Sequence, residues 1–452
     1  MTQNIRATVR AVIAHADGQR VAAVGGALPV AVAGDNTFVG YGLADAFPTL
    51  APWLAPLRRL HFARLPNAPD GTWEREAVWQ LDALHELTGA NWVLPEELPE
   101  EEQAWAQAAL SPAPAHRPAF ARVGWAAGAL AWLDEELREQ GLTRAGMPDP
   151  LKHWGISALW RVPLRAGPDG DVGPVYLKAV PAFFAREVPA TCVLSREVPG
   201  AAPPVLAADE GRGMLLLRHA GDVPDEGDDG ITLAVHLARV QRASVAVVPE
   251  LRARGIPEHG PAWVASLLPE LLREDVLLLG EPEGLTPAEA ARLWVLEGRL
   301  QEACVRLLAS PLPEVAGHGD LHRFNAVRDA DGRWTLLDWS DVSVTHPFLD
   351  AIPDYLAPDG TSPDVLEAVE TAYLSAWTDL LPLPEGRALL RDARLVGEVY
   401  RALGYTHGIQ PHIEDKEESR TAHLEHLRPL QQSASAAPLP HGHGEMRGTH
   451  SP

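Results

Sequence analysis

The sequence predicts an α+β protein: a small antiparallel β lobe, a larger helical lobe after it, and an extra α+β unit in front. Three observations predict this. Strand patterns and turn signals crowd residues 146 to 221, whereas from residue 231 apolar residues recur at helical spacing of three and four. The helical part is interrupted once, at Ala316 to Asp350, by a polar loop and an Asp331-Gly332 hairpin signal. At 452 residues the chain is too long for one ordinary domain and calls for roughly two to four units.

Hydrophobic residues make up 46% and charged residues 22%, as in globular chains. The net charge of −23 argues against nucleic acid and anionic membranes as partners and is compatible with a cationic substrate. The two cysteines, Cys192 and Cys304, show no metal-ligand spacing and suit a reducing compartment. No basic-then-apolar leader opens the chain and no uninterrupted apolar run approaches membrane length, so a cytoplasmic location is expected. Lysine occurs only at 152, 178 and 416. A lysine inside an apolar strand is therefore informative.

In chain order, residues 1–115 form the accessory α+β unit. Ile5 to His15, Arg20 to Val24 and Leu28 to Val32 read as strands, with turns at Ala16-Asp17-Gly18 and Ala33 to Asn36. Leu57 to Leu65 and Ala77 to Leu84 are strand or short-helix candidates, and Pro95 to Leu110 is an acidic helix. The first strands are similar to a Nudix-like fold, but the Glu-rich helix that carries magnesium in such hydrolases is missing. Docking or dimerisation is the expected role. Residues 116–145 hold a linker end and a connecting helix, following the Pro-rich stretch 111 to 117. Trp125 and Trp132, seven apart, mark that helix's packed face.

Residues 146–221 read as the β lobe. His153 to Val162 is strand, small-residue turn at Gly155-x-Ser157, strand; Val175 to Val180 is a clear strand bearing Lys178. Turn-rich Ala166 to Pro174 lies between them. Glu187 opens a helix in which Pro189 is tolerated only in the first turn. Two last strands, Pro203 to Asp209 and Gly213 to Gly221, lead into a hinge at Arg218, His219 and Ala220.

Residues 222–430 form the helical lobe, beginning with a solvated loop to Gly230. Helices are expected over Ile231 to Val248, Pro261 to Leu279, Pro287 to Leu308 with a Thr286-x-x-Glu289 capping box, Pro363 to Asp379 and Glu385 to Leu403. His236 and Ser244 are ordinary helix residues. Residues 431–452 are polar and small and are expected to be disordered; their His441, His443 and His450 belong to a flexible tail.

The chemistry concentrates in Ala316 to Asp350. Phosphoryl transfer needs a carboxylate to orient and deprotonate a hydroxyl, and oxygen ligands for magnesium. Asp320 supplies the first; Asn325 and Asp338 supply the others. His318-Gly-Asp-Leu-His322 with Asn325 and Leu337-Asp338-Trp339 resembles the Brenner motif of the aminoglycoside phosphotransferase and choline kinase superfamily, over residues 146 to 430.

That resemblance implies a protein-kinase-like bilobal fold that binds ATP and Mg2+ between the lobes. It implies that Lys178, braced by Glu187 (with Glu197 the alternative), positions the phosphates, that Ser157 belongs to the turn over them, and that the hinge holds adenine through its backbone. His318, His322 and Asp350 would support the loop; Pro347 to Asp350 resembles the family's Asp-Pro-x-x-Asp segment, with His346 replacing the first acid. Asp341 is undecided between ligand and turn residue. The implied activity is transfer of the γ-phosphoryl group to a hydroxyl of a small molecule, an alcohol acceptor. Glu398, Tyr405 and His407 are guesses for its pocket. A catalytically inactive nucleotide-binding module is the alternative, and the complete set of Lys178, Asp320, Asn325 and Asp338 speaks against it.

Overall fold

The computed structural model describes residues 5–33, 40–165, 173–224, 230–280, 283–416 and 419–435. Strands β1 (Ile5–Ile13), β3 (Val30–Ala33), β4 (Leu54–Arg64) and β5 (Trp73–Ala83) form a sheet of order β3-β1-β5-β4, while β2 (Val21–Ala23) pairs with β6 (Asn91–Val93). The central pair β1 and β5 is parallel. Alternation along β1 explains the layering. Val9, Ala11 and Ile13 pack with Leu54, Trp79 and Leu81 on one face, and Val12 joins Ala106 and Ala109 of helix α1 (Glu100–Leu110) on the other. Both undecided segments are thus strands. The turn expected at 34 to 36, the turn-rich 166 to 172 and the loop at 225 to 229 lie outside the described residues.

The second sheet is antiparallel. Its strands are β7 (Asp149–Trp154), β8 (Ser157–Val162), β9 (Val175–Ala179), β10 (Val205–Asp209) and β11 (Met214–Arg218), in the order β10-β11-β9-β8-β7, with α3 (Glu187–Glu197) entering between β9 and β10. The expected connecting helix, α2 (Trp125–Glu139), buries Leu133 and Leu137 against Trp160, Leu177 and Leu216 of this sheet. Trp53 and Ala55 of the first sheet share that cluster, and Trp53 Nε1 donates to Pro148 O at 2.9 Å. The stretch 111 to 117 is no free spacer. Arg117 is buried and its guanidinium forks onto Glu414 at 2.7 and 2.9 Å.

The helical lobe contains α4 (Ile231–Ser244), α5 (Val248–Ala253), α6 (Pro261–Leu271), α7 (Glu274–Leu278), α8 (Pro287–Leu308), α9 (Pro353–Leu356), α10 (Pro363–Ser375), α11 (Leu383–Leu403) and α12 (Ala422–Ser435). Short pairs β12 (Val315–Gly317) with β15 (Ser343–Thr345), and β13 (Ala326–Arg328) with β14 (Trp334–Leu336), are set into it. The capping box at Thr286 forms as expected.

The expected C-terminal tail needs correction. Residues 431 to 435 are helical, not tail: Leu424, Leu427 and Leu430 bury one face of α12, and Gln431 accepts from Arg292 at 3.0 Å. Residues 436–452, with the three tail histidines, lie outside the described residues. The helical stretch Ile231–Ala253 is long and apolar enough to cross a membrane, although Arg239, Arg242, Glu250 and Arg252 interrupt it, but 56% of its window is buried. Core packing explains its composition.

Candidate active site

The loop that carries Asp320 is held by backbone chemistry. His318 N–H and Gly319 N–H both donate to the Asp350 carboxylate, at 2.7 and 2.9 Å. Gly319 has φ +84°, and a Cβ there would lie 2.5 Å from Asp341 O; only glycine fits this approach. Asp320 is thereby presented half-exposed. His318 Nε2 donates to Leu337 O at 2.7 Å and its ring lies 4.8 Å from Trp339, tying the loop to the strand end that bears Asp338. His322 Nδ1 accepts Phe324 N–H at 3.2 Å, so Nε2 carries the proton and faces Asp320 Oδ2 at 3.9 Å. Burial lowers the His322 pKa and keeps the ring neutral.

Asp350 is preceded by a turn that His346 caps. Its Nδ1 accepts Phe348 N–H at 3.2 Å and its Nε2 lies 3.0 Å from Ser310 Oγ. Burial pushes its pKa down to about 3. A neutral imidazole therefore caps this turn at the position where the resemblance places an acid.

Lys178 and Glu187 meet across the sheet and α3. Lys178 Nζ lies 2.6 Å from Glu187 Oε1 and 2.7 Å from Asp338 Oδ1, whereas Glu197 is exposed and pairs with Arg196. Burial opposes the Lys178 ammonium, but Asp338 and Glu187 outweigh it and raise its pKa. Burial pushes the Glu187 carboxyl up, to about 7, against the pull of Lys178. Burial also works to raise Asp338, yet Lys178 and the Ser340 hydroxyl hold it well below the usual carboxylate range. Asn325 Nδ2 donates to Asp320 O at 2.9 Å, which ties the amide to the loop.

Two cavities adjoin at these groups. The first, about 380 Å³, is walled by Leu151, Leu159, Val327 and Leu337, and bounded by the hinge Arg218, His219 and Ala220 and by Ser157. Arg218 N–H is already given to Pro204 O at 2.9 Å, so of the expected hinge donors it is not free. Ser157 Oγ accepts Trp154 Nε1–H at 2.9 Å. The His219 side chain stacks on Tyr176 at 6.0 Å. The second cavity, about 870 Å³, holds Asp320, Asp341 and Arg186 among aromatic walls. Asn325 and Asp338 line both.

Lys152 also lines both cavities and lies 3.9 Å over the Trp154 ring. Sequence reasoning missed it, although the scarcity of lysine that singled out Lys178 applied equally. Trp263, His259 and Phe183, which wall the second cavity, carried no sequence signal. Tyr405 and His407 do line it, from a π-helix at Gly404–Ile409. Glu398 lines neither cavity; it accepts Tyr355 Oη–H at 3.2 Å and lies 3.1 Å from His426 Nδ1. Asp341 lines the larger cavity; burial pushes its pKa up to about 7, with Asp320 adding to the rise and Arg186, 3.6 Å away, opposing it.

No curated protein sequence matches the chain. Among solved structures, a macrolide 2′-phosphotransferase from Brachybacterium faecium is 19% identical, covering 65% of this chain and 97% of its own, with a TM-score of 0.42. A choline/ethanolamine kinase family protein from Mesorhizobium loti is 15% identical over 69% and 96%, with a TM-score of 0.44. An aminoglycoside phosphotransferase bound to GDP is 14% identical over 68% and 97%, with a TM-score of 0.46. Residues 182–383, from α3 through the hinge and the loop that bears Asp320, match the family described as Phosphotransferase enzyme family.

Proposed function

We propose that this chain is an ATP- and magnesium-dependent phosphotransferase that moves the γ-phosphoryl group to a hydroxyl of a small molecule. The observation that carries this reading is the junction of the two cavities, where Asn325 and Asp338 line both, Asp320 lines the larger and Lys178 the smaller. The apolar walls of the smaller cavity suit a flat base, and the hinge backbone suits its polar edge. Among the described residues no group of three or more His, Cys, Asp or Glu could hold a metal alone. One carboxylate and one amide oxygen nevertheless fit magnesium, which keeps several positions for phosphate and water oxygens. When bound, magnesium neutralises charge on the phosphate oxygens.

Asp320 orients the acceptor hydroxyl and takes its proton as the new P–O bond forms and the bond to the leaving ADP breaks. Lys178, held by Glu187, steers the phosphates; Asn325 and Asp338 hold the metal; His318, His322 and Asp350 fix the loop. The two free cysteines are in keeping with a cytoplasmic enzyme. On the N-terminal sheet, Val30 and Val32 stand 54% and 69% exposed along edge strand β3, which supports docking or dimerisation there.

Calorimetric titration of Mg·ATP into the wild type and Asp338→Ala tests the site. The wild type should bind with magnesium dependence and the variant should lose it. Asp320→Asn should keep nucleotide binding and lose turnover by roughly 10²–10⁴-fold. Normal turnover in Asp320→Asn, or no binding by the wild type, overturns the assignment.

A further inference from the structure

The whole-chain charge suggests a cationic acceptor, but the cavity beside Asp320 does not. Its carboxylates are engaged: Asp338 by Lys178 at 2.7 Å, Asp341 beside Arg186 at 3.6 Å, and Asp320 by its role as base. Arg401 differs. It lines both the 870 Å³ cavity and an adjoining one of about 620 Å³ that also contains Asp320, yet it is only 6% exposed. Among the described residues its Nη2 is buried without a hydrogen-bond partner, and its Nη1 reaches Gly397 O alone, at 3.5 Å.

The neighbours of Arg401 do not answer it. Its guanidinium lies 4.7 Å over the Tyr355 ring, a contact with a π-face rather than with an anion. The nearby carboxylate, Glu398, is occupied by the Tyr355 hydroxyl at 3.2 Å and by His426 at 3.1 Å. Arg401 sits in the last turn of α11, where the helix dipole tolerates a cation. A dipole, however, does not satisfy directed N–H groups, and a buried one left unmade is costly.

We propose that Arg401 holds an anionic group, a carboxylate or a phosphate monoester, on the acceptor whose hydroxyl faces Asp320. This rests on the phosphotransferase reading and deepens it: the acceptor is an anionic hydroxy compound. A planar fork is the side chain suited to such oxyanions. A cationic group placed against Arg401 would meet a like charge, while Asp354 and Asp359 line the adjoining cavity elsewhere.

The test is calorimetric, on the full chain loaded with Mg·ADP, and needs no turnover. The probes are D-glycerate, glycerol 3-phosphate, glycerol and choline. At least one of the two anions should bind, and which of them binds distinguishes carboxylate from phosphate monoester; glycerol and choline should not. Arg401→Met should weaken anion binding by about tenfold or more with Mg·ADP affinity unchanged. Arg401→Lys, which keeps the charge and stem and loses the fork, should recover part of it and covers the case in which Arg401→Met does not fold. The proposal is overturned if glycerol or choline binds as tightly as the anions, if neither anion binds to protein that binds Mg·ADP, or if anion affinity survives in Arg401→Met. A chain that binds anions through Arg401 but not Mg·ADP would instead remove the phosphotransferase reading and leave the anion site standing.

Discussion

Asp338 has φ +63°, a left-handed conformation that costs a non-glycine residue roughly 1–2 kcal/mol. The strain is held by Lys178 and by Ser340 Oγ, which donates to Asp338 Oδ1 at 2.7 Å, and it turns the carboxylate toward both cavities. Lys152 faces the same junction from β7. Replacing it with Met should lower kcat/KM for ATP by about tenfold through loss of phosphate stabilisation, with the thermal midpoint little changed; steady-state kinetics at varied ATP check this. Asp341 sets a pH dependence of stability. Its pKa rises from 3.8 to about 7 on folding because its surroundings desolvate it and Asp320 lies nearby, although a quarter of the side chain still faces the cavity. The folded state therefore favours the protonated form, and its contribution is fully present below about pH 4 and lost as pH rises through 7. Asp341→Asn should accordingly gain thermal stability relative to wild type as pH rises from 4 to 8, and equal melting curves across that range would refute the assignment.

Elements show what the sequence could and could not tell. The loop bearing Asp320 was legible because its polar residues lie close together in sequence: Asp320 and Asn325 precede the β13–β14 hairpin, Asp338 follows it, and the Asp350 brace is only thirty-odd residues from His318. Lys178 and Glu187 are nine apart, close enough for a strand–helix reading. The wall of the larger cavity was not legible. It is assembled from α6, α11 and the π-helix, whose residues are distant in sequence and follow no periodic pattern, so Arg401 and Trp263 looked like any other arginine and core aromatic. The end of α12 was misread for a related reason. Polar composition argued for a tail, but three leucines at helical spacing anchor the preceding turns, and the helix continues past them. Leu427 is fully buried, and Leu427→Ala should cost about 2–5 kcal/mol, measured by denaturant unfolding.

At the scale of the whole molecule, three histidines are buried in different places and neutral. His153, under the second sheet, donates to Phe120 O at 3.2 Å; His236, on α4, donates to Gly200 O at 2.9 Å; His346 caps the turn before Asp350. Burial pushes their pKa values down to about 4, 4 and 3 from 6.5. Their contribution to stability is full above pH 6.5 and lost as pH falls toward 4, at about 1.4 kcal/mol per pH unit for each. Melting curves should therefore shift downward between pH 6.5 and 4, less steeply in the wild type because Asp341 and Glu187, near 7, protonate over the same range; in Asp341→Asn, which removes part of that offset, a flat midpoint over the window would show that these rings are not buried.

Glu414 holds Arg117 and, at 3.2 Å, Arg58 of the first sheet; Asp415 reaches Arg59 at 3.4 Å. Both acids follow shortly after the π-helix that walls the larger cavity. The accessory sheet is thus tied by a few charged contacts to the segment that follows that wall in the chain. Reciprocity applies to such a connection: whatever factor a partner docked on the accessory sheet imposes on acceptor affinity, the acceptor imposes on that partner in return.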